Sequence, residues 1–572
     1  MCIGCFGRIM RPSTPRRSVF GVAAASGLLA CDAVTTRTGA EQQTTARPAP
    51  PTSCTASRWI DAHCHIFNAR DVPVRHFLQA VHIPNAETGL ESDRRRIQVL
   101  RAIVARLPQT VELMRRSAMD VDAEIANFER LSSRPTEFDA EFFRSAPTRA
   151  GNVPPTGLDQ HMLGTRLAML SSLSGAVEPG SGQGTLTGAF GNADFRPQFF
   201  APSFVDYDTW LVPPEDKEYL SSPMSKQIEV ANLLGKCLAR STGARIVVHP
   251  LVGFDPARQV RHGDALAVVR DAVAHKGAIG VKVYPPMGFR PLGNGDRNAG
   301  PFVDFLETAI RNFGARLDDA LLELYAYCND EDVPIMAHCS PSQGRGPGFV
   351  QRAAPELWRP VLDRFPKLRV NLAHFGGVAG EASPPRRGNE PEQAYESVRR
   401  LYNLRPQWAW TIATLMRDYP GRVYSDTGYF ASVLNRSDWS SIGTLHQIFD
   451  AIPETSRYLM YGSDWNVVAA EERIDEYSYR LRGAMAPIMQ DPVGRENFAW
   501  RNAARFFGLR TGDKARRRLE AVYRSWGVEP HRLDVFNPID PKKPFCIDPR
   551  NAGICAGPSG ADPAAVEPAR PR

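Results

Sequence analysis

The fold class predicted for this chain of 572 residues is α/β, a TIM-type (β/α)8 barrel with a large, mainly helical insertion after the first strand. Three observations predict it. Short β-branched or aromatic runs recur between residues 59 and 465, each followed by a longer stretch with helical spacing, the pattern of βα units and a parallel sheet. No glycine-rich dinucleotide fingerprint accompanies them, so a closed barrel fits better than an open doubly wound sheet. The first two runs lie too far apart for a single connecting helix.

Taken in order, residues 1–31 read as an export signal. Arg8, Arg11, Arg16 and Arg17 precede a mildly apolar run, Val19 to Ala30, too short to span a bilayer stably. The run ends in Leu28-Leu29-Ala30-Cys31, which resembles the lipobox of bacterial lipoproteins and makes Cys31 the acylated residue. Arg16-Arg17 followed by Ser18-Val19-Phe20 resembles a twin-arginine signal, with Pro15 where Ser or Thr is usual. Met10 is an alternative start that leaves a more ordinary leader. The expectation is a protein on the periplasmic side of a bacterial membrane, held there by its lipid anchor only.

Residues 32–57 lack an apolar period and are rich in Thr, Ala, Gln and Pro, as a solvated, disordered tether should be. The barrel is expected over 58–510, a helical extension over 511–537 and a Pro/Gly-rich tail over 538–572. With 43% hydrophobic and 23% charged residues, the composition is that of a globular protein with a sizeable core. The formal charge of +7 includes four leader arginines and no leader acids, so 7 − 4 leaves +3 and removes the main support for nucleic-acid binding. The ten cysteines show no zinc-finger spacing; without Cys2, Cys5 and an acylated Cys31 seven remain, an odd number that argues against a full disulfide framework. Cys546 and Cys555 are best placed for one bridge, with Cys54 as the alternative partner.

The candidate strands are "WIDAHCHIF" (59–67), "QFFAPSFVD" (198–206), "RIVVHPLVGF" (245–254), "IGVKVYPP" (279–286), "PIMAHCS" (334–340), "RVNLAHFG" (369–376), "RVYSDTGY" (422–429) and "RYLMYGSDW" (457–465). The insertion, 70–197, contains helical patterns such as "DRRRIQVLRAIVARL" and "VDAEIANFERLSS". Loops after barrel strands sit on the catalytic face, so the insertion is expected to cap the mouth. Its "GSGQGTLTGAFGN" (180–192) lacks the Gly-Lys-Ser/Thr ending of a phosphate loop and reads as a flexible segment.

Potential ligands gather at the strand ends: Lys282 on the fourth, His338 on the fifth, His374 on the sixth and Asp464 on the eighth, with none assigned to the seventh. On the first strand, residues i and i+2 share a face, so His63 and His65 both enter the barrel while Cys64 points to the helices. That is a chelating geometry, and imidazoles suit zinc or a similar metal.

"DAHCHIF", "PIMAHCS", "VNLAHFGG" and "YGSDWN" resemble, in order, the first, fifth, sixth and eighth strand motifs of the amidohydrolase superfamily. The likeness is to its amidohydrolase-2 branch, which includes aminocarboxymuconate-semialdehyde decarboxylase-like proteins. "NAARFFGL" (502–509) is similar to the sequence that closes many such barrels. The resemblance, over about 58–510, implies one or two divalent metal ions, zinc best matched. It implies that His63, His65 and His338 bind metal, and that Asp464 both binds it and transfers the proton. His374 is then a ligand of a second metal or a polariser of the substrate carbonyl. "GVKVYPP" resembles the dihydroorotase segment in which a carboxylated lysine bridges two metals, so Lys282 is either that bridge or an amine for a substrate carboxylate. Tyr284, Arg290, Arg345, Trp465 and Asn466 follow strand ends and are candidates for substrate contact by placement alone. His249 is assigned a structural role.

The resulting expectation is a metal-dependent hydrolase that delivers hydroxide to an amide, ester or lactone of a small molecule, with Asp464 moving the proton. A metal-dependent decarboxylase is the alternative within the same superfamily. A lipid-anchored metal- or ligand-binding protein without catalysis is the alternative outside it, one that would not require Asp464. Substrate and oligomeric state stay open.

Overall fold

Parallel strands with both faces buried account for the uninterrupted apolar runs noted above. The computed structural model describes residues 59–82, 108–145, 163–174, 197–244, 246–378, 392–434, 440–465, 477–536, 545–546 and 555–556. Cys31, the tether, the 180–192 segment and Asn466 lie outside the described residues. The chain falls into two compact units, one of residues 1–9 and 57–538, the other of residues 10–56 and 539–572.

In the larger unit every predicted strand has a counterpart: β1 (Ile60–Cys64), β2 (Phe199–Pro202), β3 (Val247–Val248 and Leu251–Gly253), β4 (Gly280–Val283), β5 (Ile335–His338), β6 (Val370–Ala373), β7 (Val423–Asp426) and β8 (Leu459–Met460). All pairings among them are parallel and follow chain order. β3 is broken by His249-Pro250, because Pro250 has no N–H for the ladder. Its first half pairs with β2, and Leu251 of the second half bridges Ser203 just beyond β2. The ring closes where Ala62 N–H donates to the Tyr461 carbonyl at 3.0 Å.

Helices Met224–Arg240, Ala265–His275, Phe313–Glu331, Glu392–Asp418 and Ser440–Ala451 follow the strands in the βα order. The "NAARFFGL" motif forms helix Asn502–Phe507, ended by Gly508 in the left-handed conformation, and Asn502 Nδ2 donates to the Leu459 carbonyl at 2.7 Å, fastening β8.

The described helices of the insertion expected as a cap can be placed by their packing. Its helix Val121–Ser132 starts at Asp120, whose carboxylate accepts from Asp122 N–H, and buries Phe128 and Leu131. It runs alongside Met224–Arg240, with Asp122 paired to Lys226 at one end and the Ser132 carbonyl accepting from Arg240 at the other. These helices therefore flank the barrel. Arg166, fully buried, is shared between Asp71 and Glu124 and ties the flank to the segment that follows β1. Among the described residues, only the first turns of the insertion reach the barrel mouth, through Val72 and Phe77. The sequence shows that such helices are amphipathic but not which surface their apolar face will find.

In the smaller unit Phe545–Cys546 pairs antiparallel with Cys555–Ala556, which sets Cys546 opposite Cys555. Among the described residues no helix is long and apolar enough to cross a membrane.

Candidate active site

His63 lies inside β1 and His65 one residue past its end, and their ring tautomers follow from their partners. His65 Nδ1–H donates to the Ser203 carbonyl at 2.7 Å, which leaves Nε2 bare. His63 Nδ1–H donates to Asp426 Oδ1 at 3.0 Å, which again leaves Nε2 bare. His65 Nε2 meets Asp464 Oδ1 at 3.0 Å, and His63 Nε2 lies 3.8 Å from the same oxygen. Two acceptors 3.0 Å apart require a proton or a cation between them. Burial pushes the His65 pKa down and disfavours the imidazolium, so a cation is the better match. Burial alone would raise the Asp464 pKa, but the His65 contact and the neighbouring His63 and His374 outweigh it and hold the carboxyl well below its usual range. Neutral imidazoles with an ionised carboxylate are the donor set a divalent metal needs.

His338 and His374 form a second string of defined tautomers. His374 Nδ1 faces the Gly428 carbonyl at 3.1 Å and so carries the proton, its Nε2 accepts from His338 Nδ1–H at 3.0 Å, and His338 Nε2 is left buried with no hydrogen-bond partner. That orphaned nitrogen fits a metal ligand. His374, expected as a second-metal ligand or carbonyl polariser, has both ring nitrogens in hydrogen-bond contacts, Nδ1 with Gly428 and Nε2 with His338. Burial, then the neighbouring His63, brings the His374 pKa down to about 3, which keeps it neutral.

The backbone is strained where these groups are held: His374, Phe375 and Asp464 all have positive φ, at 68°, 45° and 53°. Asp464 N–H donates to the His63 carbonyl at 2.7 Å. The turn before Asp464 is pinned by Asp61, which accepts from Ser463 N–H at 3.0 Å and Ser463 Oγ–H at 2.6 Å.

Lys282 is buried with Nζ 3.3 Å from His63 Nε2, and burial lowers its pKa to about 8. It thus stands among the metal donors. A cavity opens above them. Its floor is His63, His65, Lys282, His338, His374 and Asp464, and its described wall is Phe67, Val72, Phe77, Val205, Tyr207 and Tyr284. Tyr284, a candidate for substrate contact, lines the cavity. Arg290, Arg345 and Trp465 are not among the described lining residues. Arg290 donates to the Asn298 carbonyl and Arg345 to the Trp210 carbonyl, because long guanidinium arms found backbone acceptors outside the cavity.

Asp426, at the end of the seventh strand, was missed by sequence reasoning. Its carboxylate accepts from His63 Nδ1, Asn371 Nδ2 at 2.7 Å, His374 N–H at 3.1 Å and Gly428 N–H at 2.8 Å. It can be grouped with His63 and His374 as a possible metal trio, as His65 and Asp464 can with His63. Asp426's oxygens are already filled by N–H donors, so the trio with Asp464 is the better metal site. A Cβ at Gly428 would stand 2.8 Å from both Asp426 Oδ1 and His63 Nδ1, so only glycine fits that approach. The signal in the sequence was a carboxylate at the C-terminal end of an interior strand. Tyr207, which no motif marks, was missed as well.

The model of the Amidohydro_2 family, described as Amidohydrolase, matches residues 60–509. Among solved structures, an amidohydrolase from Burkholderia multivorans with bound zinc is 14% identical over 55% of this chain and 84% of that one, with a TM-score of 0.30. An uncharacterised TIM-barrel protein from Bordetella bronchiseptica is 15% identical, over 68% of this chain and 93% of its own, with a TM-score of 0.34. A probable 2-pyrone-4,6-dicarboxylic acid hydrolase from Acinetobacter baumannii with citric acid bound is 11% identical, over 55% and 84%, with a TM-score of 0.28. No curated protein matches the chain.

Proposed function

The chain belongs to the amidohydrolase family, and from that premise we propose that it hydrolyses an amide, ester or lactone of a small organic molecule with a divalent metal, zinc best matched to its donors. The observation that carries the reading is the approach of two acceptors, His65 Nε2 and Asp464 Oδ1, to 3.0 Å at the floor of a cavity. His63, His65, His338 and Asp464 would hold the metal, with Lys282 beside them. When bound, it supplies Lewis-acid polarisation and makes hydroxide available at neutral pH. Asp464 takes the proton of the attacking water and returns it to the leaving group. His374 holds His338 in the tautomer that presents Nε2. The buried floor keeps these electrostatic interactions strong by excluding bulk water.

The test is to load the full chain with zinc, measure the metal bound, and screen lactones, amides and esters for turnover. Asp464→Asn should retain at least part of the metal and lower kcat by about 10²- to 10⁴-fold, because an amide cannot accept the proton. Near-normal kcat with metal intact would remove Asp464 from the mechanism. Release of carbon dioxide from an aromatic carboxylate, in place of hydrolysis, would make the enzyme a decarboxylase.

A further inference from the structure

The cavity wall carries a feature that hydrolysis as such does not require. Aromatic rings follow one another around it in an unbroken series. Phe77 stacks on Tyr207 (centroids 6.0 Å apart, planes 21° apart), Tyr207 meets Tyr284 edge-on (5.1 Å, 77°), and Tyr284 stacks on His338 (4.3 Å, 23°). From His338 the series passes through His374, His63 and His65 to Phe67, which closes on His65 at 5.1 Å. Every one of these rings lines the cavity. Four of them, Phe67, Phe77, Tyr207 and Tyr284, have no part in the metal site. They come from the segments after β1, β2 and β4, so three separate loops converge on one kind of surface.

We propose that this site takes a substrate built on a neutral planar ring, an aryl ester, an aryl amide or a ring-fused lactone, with the ring against the four wall aromatics and the carbonyl over the histidine floor. The inference rests on the hydrolase reading above and names its substrate class. Ring faces and edges reward flat partners through offset-stacked and edge-on contacts, beyond what area burial alone contributes. Among the described lining residues the one cation is Lys282, and it sits at the floor, 3.3 Å from His63 Nε2. A carboxylate on the outer edge of the ring would lose its hydration against Val72, Phe77 and Val205, at a cost that favours an uncharged ring. Tyr284 and Tyr207 share a side-chain hydrogen bond, so their hydroxyls stand together on the wall.

The experiment pairs flat and puckered rings on the zinc-loaded full chain. Binding of acetophenone and of cyclohexyl methyl ketone, neither hydrolysable, is measured by calorimetry. Turnover is measured with methyl benzoate and methyl cyclohexanecarboxylate. Acetophenone should bind at least about tenfold tighter, and methyl benzoate should have the higher kcat/KM despite its lower intrinsic reactivity. Phe77→Leu should erase most of that preference without changing the bound metal, and Tyr207→Leu serves if the first variant does not fold. Equal or tighter binding of the cyclohexyl ketone, or no binding of either, overturns the ring site. Turnover of both esters without preference leaves hydrolysis standing and removes the ring site. Preferential binding of acetophenone with neither ester cleaved keeps the ring site and counts against hydrolysis.

Discussion

Asp426 shows how much of a metal site lies outside its ligands. Fully buried, it survives as a carboxylate because donors from four residues fill it: burial would raise its pKa, but His63 and the surrounding N–H groups bring it below the ordinary value. Its effect on the site is exerted through His63, whose Nδ1–H it accepts, so that Nε2 faces the cavity. Removing such an outer partner typically costs about 10- to 100-fold in metal affinity. Asp426→Ala should therefore weaken zinc by about that factor, read by competition with a chromophoric chelator, while saturating zinc restores much of the metal bound. Unchanged affinity in a folded variant would remove the positioning role. At this scale the sequence was legible where a motif named the residue, as for His63, His65, His338 and Asp464. It was illegible where a role depends on which way a long or unmarked side chain turns, as with Arg290, Arg345, Tyr207 and Asp426.

At the scale of elements, the strands were legible because burial on both faces leaves continuous β-branched and aromatic runs, and every one of them is in the barrel. What the runs could not show was the break in β3 or the side on which the insertion packs. His249, to which the sequence reading assigned a structural role, stands at that break. Its Nδ1 bonds to the Gly277 carbonyl at 3.0 Å, its Nε2 lies 3.3 Å from the Tyr523 hydroxyl, and its ring stacks parallel to Trp526, so it fastens helix Lys514–Ser525 to the barrel. Burial lowers its pKa from 6.5 to about 4. Between those values the unfolded chain binds a proton that the folded chain refuses, so stability is full above pH 6.5 and falls as pH drops toward 4. The loss amounts to roughly 3 kcal/mol when complete. His249→Gln should be less stable at pH 7.5, through the lost ring packing, and show a shallower decline between pH 6.5 and 4 in urea unfolding. Parallel declines in the two proteins would assign the acid sensitivity to other groups.

At the scale of the whole molecule, the barrel closes where the site is built. Asp464 N–H donates to His63 C=O, and Ala62 to Tyr461, so the bonds that join the last strand to the first also set the spacing of two ligand-bearing segments. Eight repeats made that closure predictable; the chain outside the barrel offers no such constraint, since segments 1–31 and 32–57 carry composition but no packing pattern. We propose that Cys31 is acylated and that the protein is held at the periplasmic side of a membrane through lipid and tether. A single acyl chain binds membranes only marginally, whereas two or more anchor stably, each buried CH₂ contributing about 0.8 kcal/mol. The charge of +3 left after the leader is too small to hold the protein electrostatically. Binding should therefore resist a wash with 1 M salt (about 3 Å Debye length) and yield to detergent. Cys31→Ala should shift the protein from the membrane fraction to the soluble one with bound metal unchanged. Unaltered protein recovered in the soluble fraction, or released by salt alone, would overturn the lipid anchor and leave the barrel chemistry untouched.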